Sequence, residues 1–277
     1  MTGDPWSRAA DGHSVAAMDI AVLGSTGTIG RSLSGKLEEA GHTVRRLSRS
    51  AGVDARSGGG LDAALEGAEV VVDAVNVQAI RGDRAVSFFT RAAQNIARSA
   101  ERAGARRVVC VSIAGAARPE VRGAFGYYRG KAAQERAYQD ARIPATIIRS
   151  TQWFELAEQM AAQASIGPLA VLPTMRMAPL SAHRAARHIV PEVVREDVAG
   201  DRILAIRGPE EMTTAQLVRR ILAARGEIGG RRLRVVTELP YLGRGLAGGG
   251  LIPRDGIVDD LTLGAWLDGG GAAAAAR

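Results

Sequence analysis

The chain has 277 residues, 46% of them apolar, so it can bury a large core in one domain, with or without a smaller C-terminal appendage. No apolar run approaches the roughly 20 residues that span a bilayer. The first residues also lack a signal-peptide pattern, so we expect a cytoplasmic protein without a membrane partner. The net charge of +7 comes mostly from arginines scattered beside acidic residues, which argues against a nucleic-acid interface.

Between a loose N-terminal extension (1–17) and a low-complexity flexible tail (269–277), short apolar runs alternate with amphipathic stretches. The apolar runs predict strands at 19–24, 42–48, 68–75, 106–112 and 144–150. The amphipathic stretches predict helices at about 29–40, 84–103, 128–141 and 153–164. Apolar strands separated by helices are typical of a parallel sheet that is covered on both faces. We therefore predict an α/β fold with a doubly wound, Rossmann-type parallel sheet over residues 18–165.

After residue 165 the pattern becomes mixed. It predicts an extended region, a helix, a strand, a second helix, a second strand and a final helical stretch, at 169–180, 182–195, 202–208, 213–226, 231–239 and 259–270. Such a segment cannot easily build a core of its own. We expect 166–268 to form a smaller α+β substrate-binding region, interleaved with the core and packed at the carboxyl ends of the strands, where open α/β sheets bind ligands.

The turn GSTGTIG follows the first predicted strand directly and opens a helix. Glycine at its three positions allows a tight turn, a close approach of a pyrophosphate and close packing of helix on strand. The helix N-terminus then offers free N–H groups to the phosphates. The alternative is a purely structural turn. We expect coenzyme contacts from Gly24, Ser25, Thr26, Gly27, Thr28, Ile29 and Gly30.

The end of the second strand indicates which dinucleotide binds. NAD-binding proteins usually carry an acidic residue about 20 positions beyond the glycines. Here that place reads RRLSRS, without a carboxylate. The guanidinium of Arg49 suits a 2′-phosphate, so we expect NADP(H) to be preferred over NAD(H), unless Arg49 is only a solvated loop residue. After the third strand, Ala74, Val75 and Asn76 lie where this fold passes the coenzyme, although Asn76 also suits an ordinary turn.

Five motifs occur in a characteristic order: GSTGTIG, VVDAVN, the block from FFTRAAQN to VSIAG, GYYRGKAAQE and IIRSTQWFE. In this order they resemble the NmrA-like, atypical short-chain dehydrogenase/reductase family over roughly residues 18–267, most clearly over 88–155. The resemblance implies an NADP-binding Rossmann domain with a smaller substrate-binding region. Members of that family include quinone and isoflavone reductases, and also redox-sensing regulators that bind the coenzyme without turnover.

GYYRGK places Tyr127 and Lys131 four residues apart, on one face of a helix. A nearby ammonium would lower the pKa of the phenol toward neutrality and make it a proton donor or acceptor. The resemblance adds Ser112, at the end of the preceding strand, as the residue that steadies the substrate oxygen, and gives Lys131 a second contact with the nicotinamide ribose. Tyr128 could take the place of Tyr127, and the alternative is a structural helix turn.

The remaining candidates carry weaker signals. RSTQWF follows the fifth strand, so Gln152, Trp153 and Phe154 are candidates for the substrate or nicotinamide pocket. His183 and His188 lack a carboxylate pattern, and Cys110 stands alone, so we expect no metal site. The abundance of Arg, Ala and Gly is typical of a high-GC bacterial genome.

These observations predict an NADPH-dependent reductase that transfers a hydride to a small, mostly apolar carbonyl, quinone or enone. The alternatives are an NADP(H)-binding redox sensor without turnover and a coenzyme-retaining epimerase or lyase. We expect a small-molecule substrate as the partner, and a monomer or a homodimer.

Overall fold

The structure is a computed structural model that describes residues 16–77, 82–197 and 200–269. The described residues form twelve strands: β1 (Asp19–Leu23), β2 (Thr43–Leu47), β3 (Val70–Asp73), β4 (Arg107–Ile113), β5 (Ala145–Ser150), β6 (Ser165–Ile166), β7 (Leu169–Pro173), β8 (Arg176–Met177), β9 (Arg202–Arg207), β10 (Met212–Thr213), β11 (Val235–Leu239) and β12 (Ile257–Val258). They also form ten α-helices: α1 (Thr28–Glu39), α2 (Leu61–Leu65), α3 (Gly82–Arg102), α4 (Pro119–Arg122), α5 (Gly126–Gln139), α6 (Leu156–Gln163), α7 (Ala182–Val193), α8 (Thr214–Arg225), α9 (Arg244–Ala247) and α10 (Leu263–Asp268).

The central sheet has seven strands in the order β12-β9-β5-β4-β3-β1-β2, and every neighbouring pair is parallel. The chain leaves β1 toward β2 on one side and returns to β3 on the other. The strand order therefore reverses beside β1, and this reversal opens a crevice at the carboxyl ends of β1 and β3. The predicted Rossmann-type α/β fold is confirmed.

Helices cover both faces of the sheet. On one face, α1 and α7 pack against each other and against alternate side chains of β1, β3 and β4. On the other face, α2, α3 and α5 pack over the intervening side chains of the same strands. Gly130 lets α3 and α5 approach closely, because a Cβ there would lie 2.6 Å from the Phe89 ring. The strands are consequently buried on both faces, as their continuous apolar runs predict.

The segment after residue 165 divides between two layers. β9 pairs with β5 and so extends the central sheet, and α7 covers that sheet. The rest forms a small sheet, β11-β7-β6, and a β10-β8 pair, which share a third core with α6, α8 and α10. The predicted extended region at 169–180 holds two separate strands, β7 and β8.

The helix predicted at 153–164 begins later, at Leu156. Trp153 forms a parallel bridge with Leu180, and Phe154 and Glu155 form a turn that leads into the helix. Most of the predicted N-terminal extension (1–15) and most of the predicted tail (270–277) lie outside the described residues.

Candidate coenzyme and catalytic site

The glycine turn connects β1 to α1 at the crevice. Gly24 has a φ of +77°, and a Cβ there would lie 2.6 Å from the Ala74 carbonyl oxygen at the end of β3. A Cβ on Gly30 would collide with the Gly24 carbonyl oxygen. Any larger residue at these two positions would clash with backbone carbonyl oxygens. Glycine is therefore required for the close contacts of the turn with the end of β3 and with the start of α1.

The first turn of α1 is open to a ligand. Gly27 is its N-cap and provides no side-chain cap, and the first turn carries no acidic residue. Thr26, Gly27 and Thr28 are exposed. The unpaired backbone N–H groups and the positive end of the helix dipole therefore face the crevice, an arrangement that suits the pyrophosphate of a dinucleotide.

Two residues of the turn have structural contacts instead. The Ser25 hydroxyl is buried and donates a 3.1 Å hydrogen bond to the Leu47 carbonyl, which ties the turn to β2. Ile29 is buried in the core under α1. We infer that these side chains hold the turn in place, so that any coenzyme contact from them would come from the backbone.

Arg49 begins a short 3-10 turn, Arg49–Ala51, directly after β2. Its side chain is exposed and forms no hydrogen bond or ion pair with the described residues. The neighbouring Ser48 and Ser50 hydroxyls lie 2.8 Å apart. The Arg49 guanidinium is therefore available to bind a 2′-phosphate, together with the two neighbouring hydroxyls.

The segment after β3 borders the crevice from the other side. The Ala74 N–H donates to the Leu23 carbonyl at 3.0 Å, and the Val75 N–H donates to the Asp73 carboxylate at 2.9 Å. The Asn76 Oδ1 accepts from the Val77 N–H at 2.9 Å. This last contact fixes which end of the Asn76 amide carries the oxygen.

The two adjacent tyrosines of α5 differ in environment. Tyr128 is buried in the core of the C-terminal region, with its hydroxyl 3.9 Å from the Met175 sulfur. Tyr127 is half-buried, and its hydroxyl donates a 2.9 Å hydrogen bond to Asn76 Oδ1 at the end of β3. Tyr127 is thus the tyrosine that reaches the predicted coenzyme path.

Lys131 forms no hydrogen bond with Tyr127. Its ammonium is buried, donates to the Val111 carbonyl at 2.7 Å and to Gln134 Oε1, and lies 4.9 Å from the centre of the Phe89 ring. Burial raises the pKa of Tyr127 well above its ordinary value, with a smaller opposing effect from the hydrogen bond to Asn76. The prediction that Lys131 lowers this pKa is wrong, because its ammonium is hydrogen-bonded to the Val111 carbonyl and the Gln134 amide instead of to the Tyr127 hydroxyl.

The sequence analysis did not predict the buried polar network that continues from Lys131. Gln134 donates to Asp73 Oδ2 at 2.6 Å, and the Tyr138 hydroxyl donates to the same oxygen at 2.7 Å. These side chains follow Lys131 along α5 at spacings of three and seven residues. Polar residues at helical spacing within a helix that covers a sheet were the signal that could have revealed the network.

Ser112 faces a second buried group. Its hydroxyl donates a 2.5 Å hydrogen bond to Glu135 Oε1, and Arg149 pairs with Glu135 at 2.7 Å. Ser112 and Glu135 are both buried. The predicted Ser112, Tyr127 and Lys131 triad therefore has no mutual hydrogen bonds among the described residues, since each member has a different partner.

The three residues predicted after β5 separate as well. Phe154 is buried against Trp266, with ring centres 5.1 Å apart, and Trp153 donates to the Ser150 hydroxyl at 3.0 Å. Both therefore pack inside the protein. Gln152 is also buried, but its Oε1 finds no partner among the described residues. A buried carbonyl oxygen without a donor costs about 1–3 kcal/mol, so Gln152 is the one of the three with an unmet hydrogen bond to offer a ligand.

Within residues 16–77, 82–197 and 200–269, no cluster of His, Cys, Asp and Glu side chains could hold a metal ion. His188 instead pairs with Asp259 at 2.6 Å. No helix in the same ranges is long and apolar enough to span a membrane.

Residues 24–159 match the model of a family described as NAD(P)H-binding, a match that begins at the glycine turn. No curated protein is significantly similar to the chain. Solved structures are similar over most of its length.

One is a short-chain dehydrogenase/reductase superfamily protein from Agrobacterium tumefaciens with bound NAD, at 20% identity over 93% of this chain and 97% of that chain, with a TM-score of 0.64. A UDP-N-acetylglucosamine 4-epimerase from Bacillus cereus is 16% identical over 80% and 86% of the two chains, with a TM-score of 0.60. An NADPH-dependent quinone oxidoreductase from Escherichia coli, complexed with NADPH, is 17% identical over 84% and 91%, with a TM-score of 0.58.

At these identities the solved structures support only the fold, whereas the family match supports NAD(P)H as the ligand. Both findings are consistent with the exposed glycine turn at the sheet reversal. Residues 24–159 thus match an NAD(P)H-binding family, in a chain with the Rossmann-type fold of solved short-chain dehydrogenase/reductase structures.

Proposed function

We propose that the protein is an NADPH-dependent reductase in which Tyr127 donates the proton. The observation that carries the proposal is the 2.9 Å hydrogen bond from the Tyr127 hydroxyl to Asn76 Oδ1. Asn76 follows β3, and β3 ends against the glycine turn. The Tyr127 phenol is therefore held at the carboxyl ends of the strands, where the coenzyme would bind, and it is positioned by a helix instead of a loop.

Tyr127 can act in the reductive direction as a proton donor. Burial raises the pKa of its phenol, so the proton stays on the hydroxyl near neutral pH until the acceptor oxygen, which gains negative charge as the hydride arrives, takes it. When bound, NADPH would supply the hydride to the acceptor carbon. Tyr127 would give its proton to the acceptor oxygen and recover one from solvent. Lys131 and Ser112 act in this proposal by fixing α5 to β4, through Val111 and through Glu135.

Preference for NADP(H) rests on Arg49, which is exposed and uncommitted after β2. A planar guanidinium can bind a 2′-phosphate with two hydrogen bonds. The similar solved structures bind NAD in one case and NADPH in another, so coenzyme choice is a property to measure on this chain.

A small, mostly apolar acceptor fits the surroundings of Tyr127. Its ring packs against Phe89 and Tyr128, with centres 5.8 Å away in both cases, and Ile113 and Phe125 belong to the same apolar cluster. The similar Escherichia coli structure is a quinone oxidoreductase. A quinone, enone or ketone is therefore the acceptor class that we propose.

The second candidate is a coenzyme sensor without turnover. It is favoured by the contacts of Lys131 and Ser112, which are both satisfied inside the protein instead of facing the crevice. A sensor would bind NADPH but leave it unoxidised. A third candidate is a coenzyme-retaining epimerase, which would interconvert its substrate without net NADPH consumption; the similar Bacillus cereus structure is a UDP-N-acetylglucosamine 4-epimerase.

The test is the initial rate of NADPH oxidation with a panel of quinones, enones and ketones, with NADH as the coenzyme control. Wild type, Tyr127→Phe and Tyr128→Phe are compared, and Tyr128 is the matched control because its hydroxyl lies in the core. We expect turnover that Tyr127→Phe lowers by roughly a hundredfold or more and that Tyr128→Phe largely keeps. Tight NADPH binding with no oxidation across the panel would favour the sensor.

A further inference from the structure

The small sheet β11-β7-β6 exposes apolar side chains on its outer side. Large apolar side chains rarely gather on the surface of a monomer, and such a patch usually marks an interaction site. Of the seven exposed large apolar residues among the described ones, five lie on this sheet or just beyond it. We call them the outer face: Ile166, Leu169, Val235, Leu239 and Tyr241.

The strand register places these side chains together. Ile166 is paired with Leu169, and Leu169 with Val235, which gives one apolar row across all three strands. Leu239 lies four residues farther along β11, on the same side as Val235 because side chains alternate along a strand. Ile166 is the last residue of β6, next to the turn into β7, and is 88% exposed. The outer face is thus a continuous surface with a projecting tip.

The chain segment that contains β11 is basic. The segment 228–247 holds four arginines and a single acidic residue, Glu238. All four arginines are exposed, and their side chains form no hydrogen bond or ion pair with the described residues: Arg231, Arg232, Arg234 and Arg244. Glu238, whose carboxylate accepts the Ala215 N–H at the start of α8, offsets one of these charges, and the segment keeps a net charge of +3.

We propose that the outer face docks on an anionic phospholipid bilayer. Apolar side chains with a tyrosine insert at the lipid interface, and free arginines add attraction to anionic headgroups. The same arginines would repel those of a second copy, which argues against self-association through this face. The expectation of no membrane partner came from the lack of a long apolar run, and a face assembled from three separate strands leaves no such run in the sequence.

The test is sedimentation of the full chain with vesicles of phosphatidylcholine mixed with phosphatidylglycerol, and with vesicles of phosphatidylcholine alone. We expect binding to the anionic vesicles only, weakened by added salt. Ile166→Asp and the double variant Arg232→Gln, Arg234→Gln should each weaken binding by at least about tenfold. All three sites are solvent-exposed, so the circular dichroism of the folded protein should not change.

Matched controls carry the same kinds of change elsewhere. Ile203→Asp alters an exposed apolar side chain on β9, and Arg91→Gln removes an exposed arginine on α3. Both should bind vesicles like wild type. Equal binding to neutral vesicles, or equal losses in the controls, would overturn the proposal. A concentration-dependent dimer in analytical ultracentrifugation that Ile166→Asp abolishes, without vesicle binding, would assign the face to a second copy. Binding to polyglutamate but not to vesicles would assign it to an acidic protein.

Discussion

The glycine turn and the start of helix α5 both lie at the carboxyl ends of the central strands. They differ in how many of their polar groups lack a partner inside the protein. In the turn, the backbone N–H groups at the start of α1 have no side-chain cap and face the crevice. In α5, Lys131, Gln134 and Glu135 all have partners inside the protein. The first region is preformed for a ligand, whereas in the second only Tyr127 reaches toward one. In the proposed function, coenzyme binding and proton transfer therefore depend on different kinds of residue, and substitutions should separate them.

The largest effect is expected at Gly30. In Gly30→Ala the new Cβ would collide with the Gly24 carbonyl oxygen, so the turn must move. We expect NADPH binding to be lost and the free energy of unfolding to fall by about 1–3 kcal/mol. Urea unfolding and NADPH fluorescence measure both effects.

Gly35→Ala on the same helix is the matched control. A Cβ at Gly35 has no neighbour within 4 Å, so this change should stabilise α1 by about 0.5–1 kcal/mol and leave binding intact. If both alanine variants bind NADPH equally well, the tight turn is not what holds the coenzyme.

Asp73→Asn tests the buried polar network that Asp73 forms with α5. The Asp73 carboxylate accepts hydrogen bonds from Gln134, Tyr138 and the Val75 N–H, and an amide N–H₂ would face one set of donors. We expect a loss of about 2 kcal/mol in the free energy of unfolding, with a smaller loss of about 1 kcal/mol for Tyr138→Phe. Thermal denaturation of both variants compares them, and an unchanged melting temperature for Asp73→Asn would contradict the network.

Arg49→Gln tests whether the residue after β2 sets the choice between NADPH and NADH. If the guanidinium binds the 2′-phosphate, NADPH affinity should fall roughly tenfold or more while NADH affinity stays the same. Isothermal titration with both coenzymes measures the ratio. Parallel losses for NADPH and NADH would mean that Arg49 does not read the 2′-phosphate.

A smaller effect is expected from pH. Burial raises the pKa values of Tyr127 and Tyr128 above their ordinary value of 10.0. Above about pH 10 the unfolded chain therefore loses phenolic protons that the native protein keeps, so the unfolding free energy falls as pH rises. Tyr127→Phe should make this decline shallower. A decline of the same slope in the variant would show that Tyr127 titrates normally in the folded protein.

The same contrast explains what the sequence could reveal. The strands, the helices and the glycine turn follow from local patterns, since the turn needs glycine for its own backbone and the strands need apolar residues on both faces. The partners of Ser112 and Lys131 depend instead on which face of α5 meets β4, and the spacing of Tyr127 and Lys131 does not encode it. Likewise, β9 looked like part of a smaller region until its pairing with β5 was visible.

The most direct test of Tyr127 as the proton donor is a single-turnover measurement with NADPH and the best acceptor of the panel, in wild type and Tyr127→Phe. We expect an unchanged dissociation constant for NADPH, because the coenzyme would bind at the turn, and hydride transfer slowed by roughly a hundredfold or more, because the proton donor is gone. Hydride transfer at the wild-type rate in Tyr127→Phe would contradict the claim that this phenol supplies the proton.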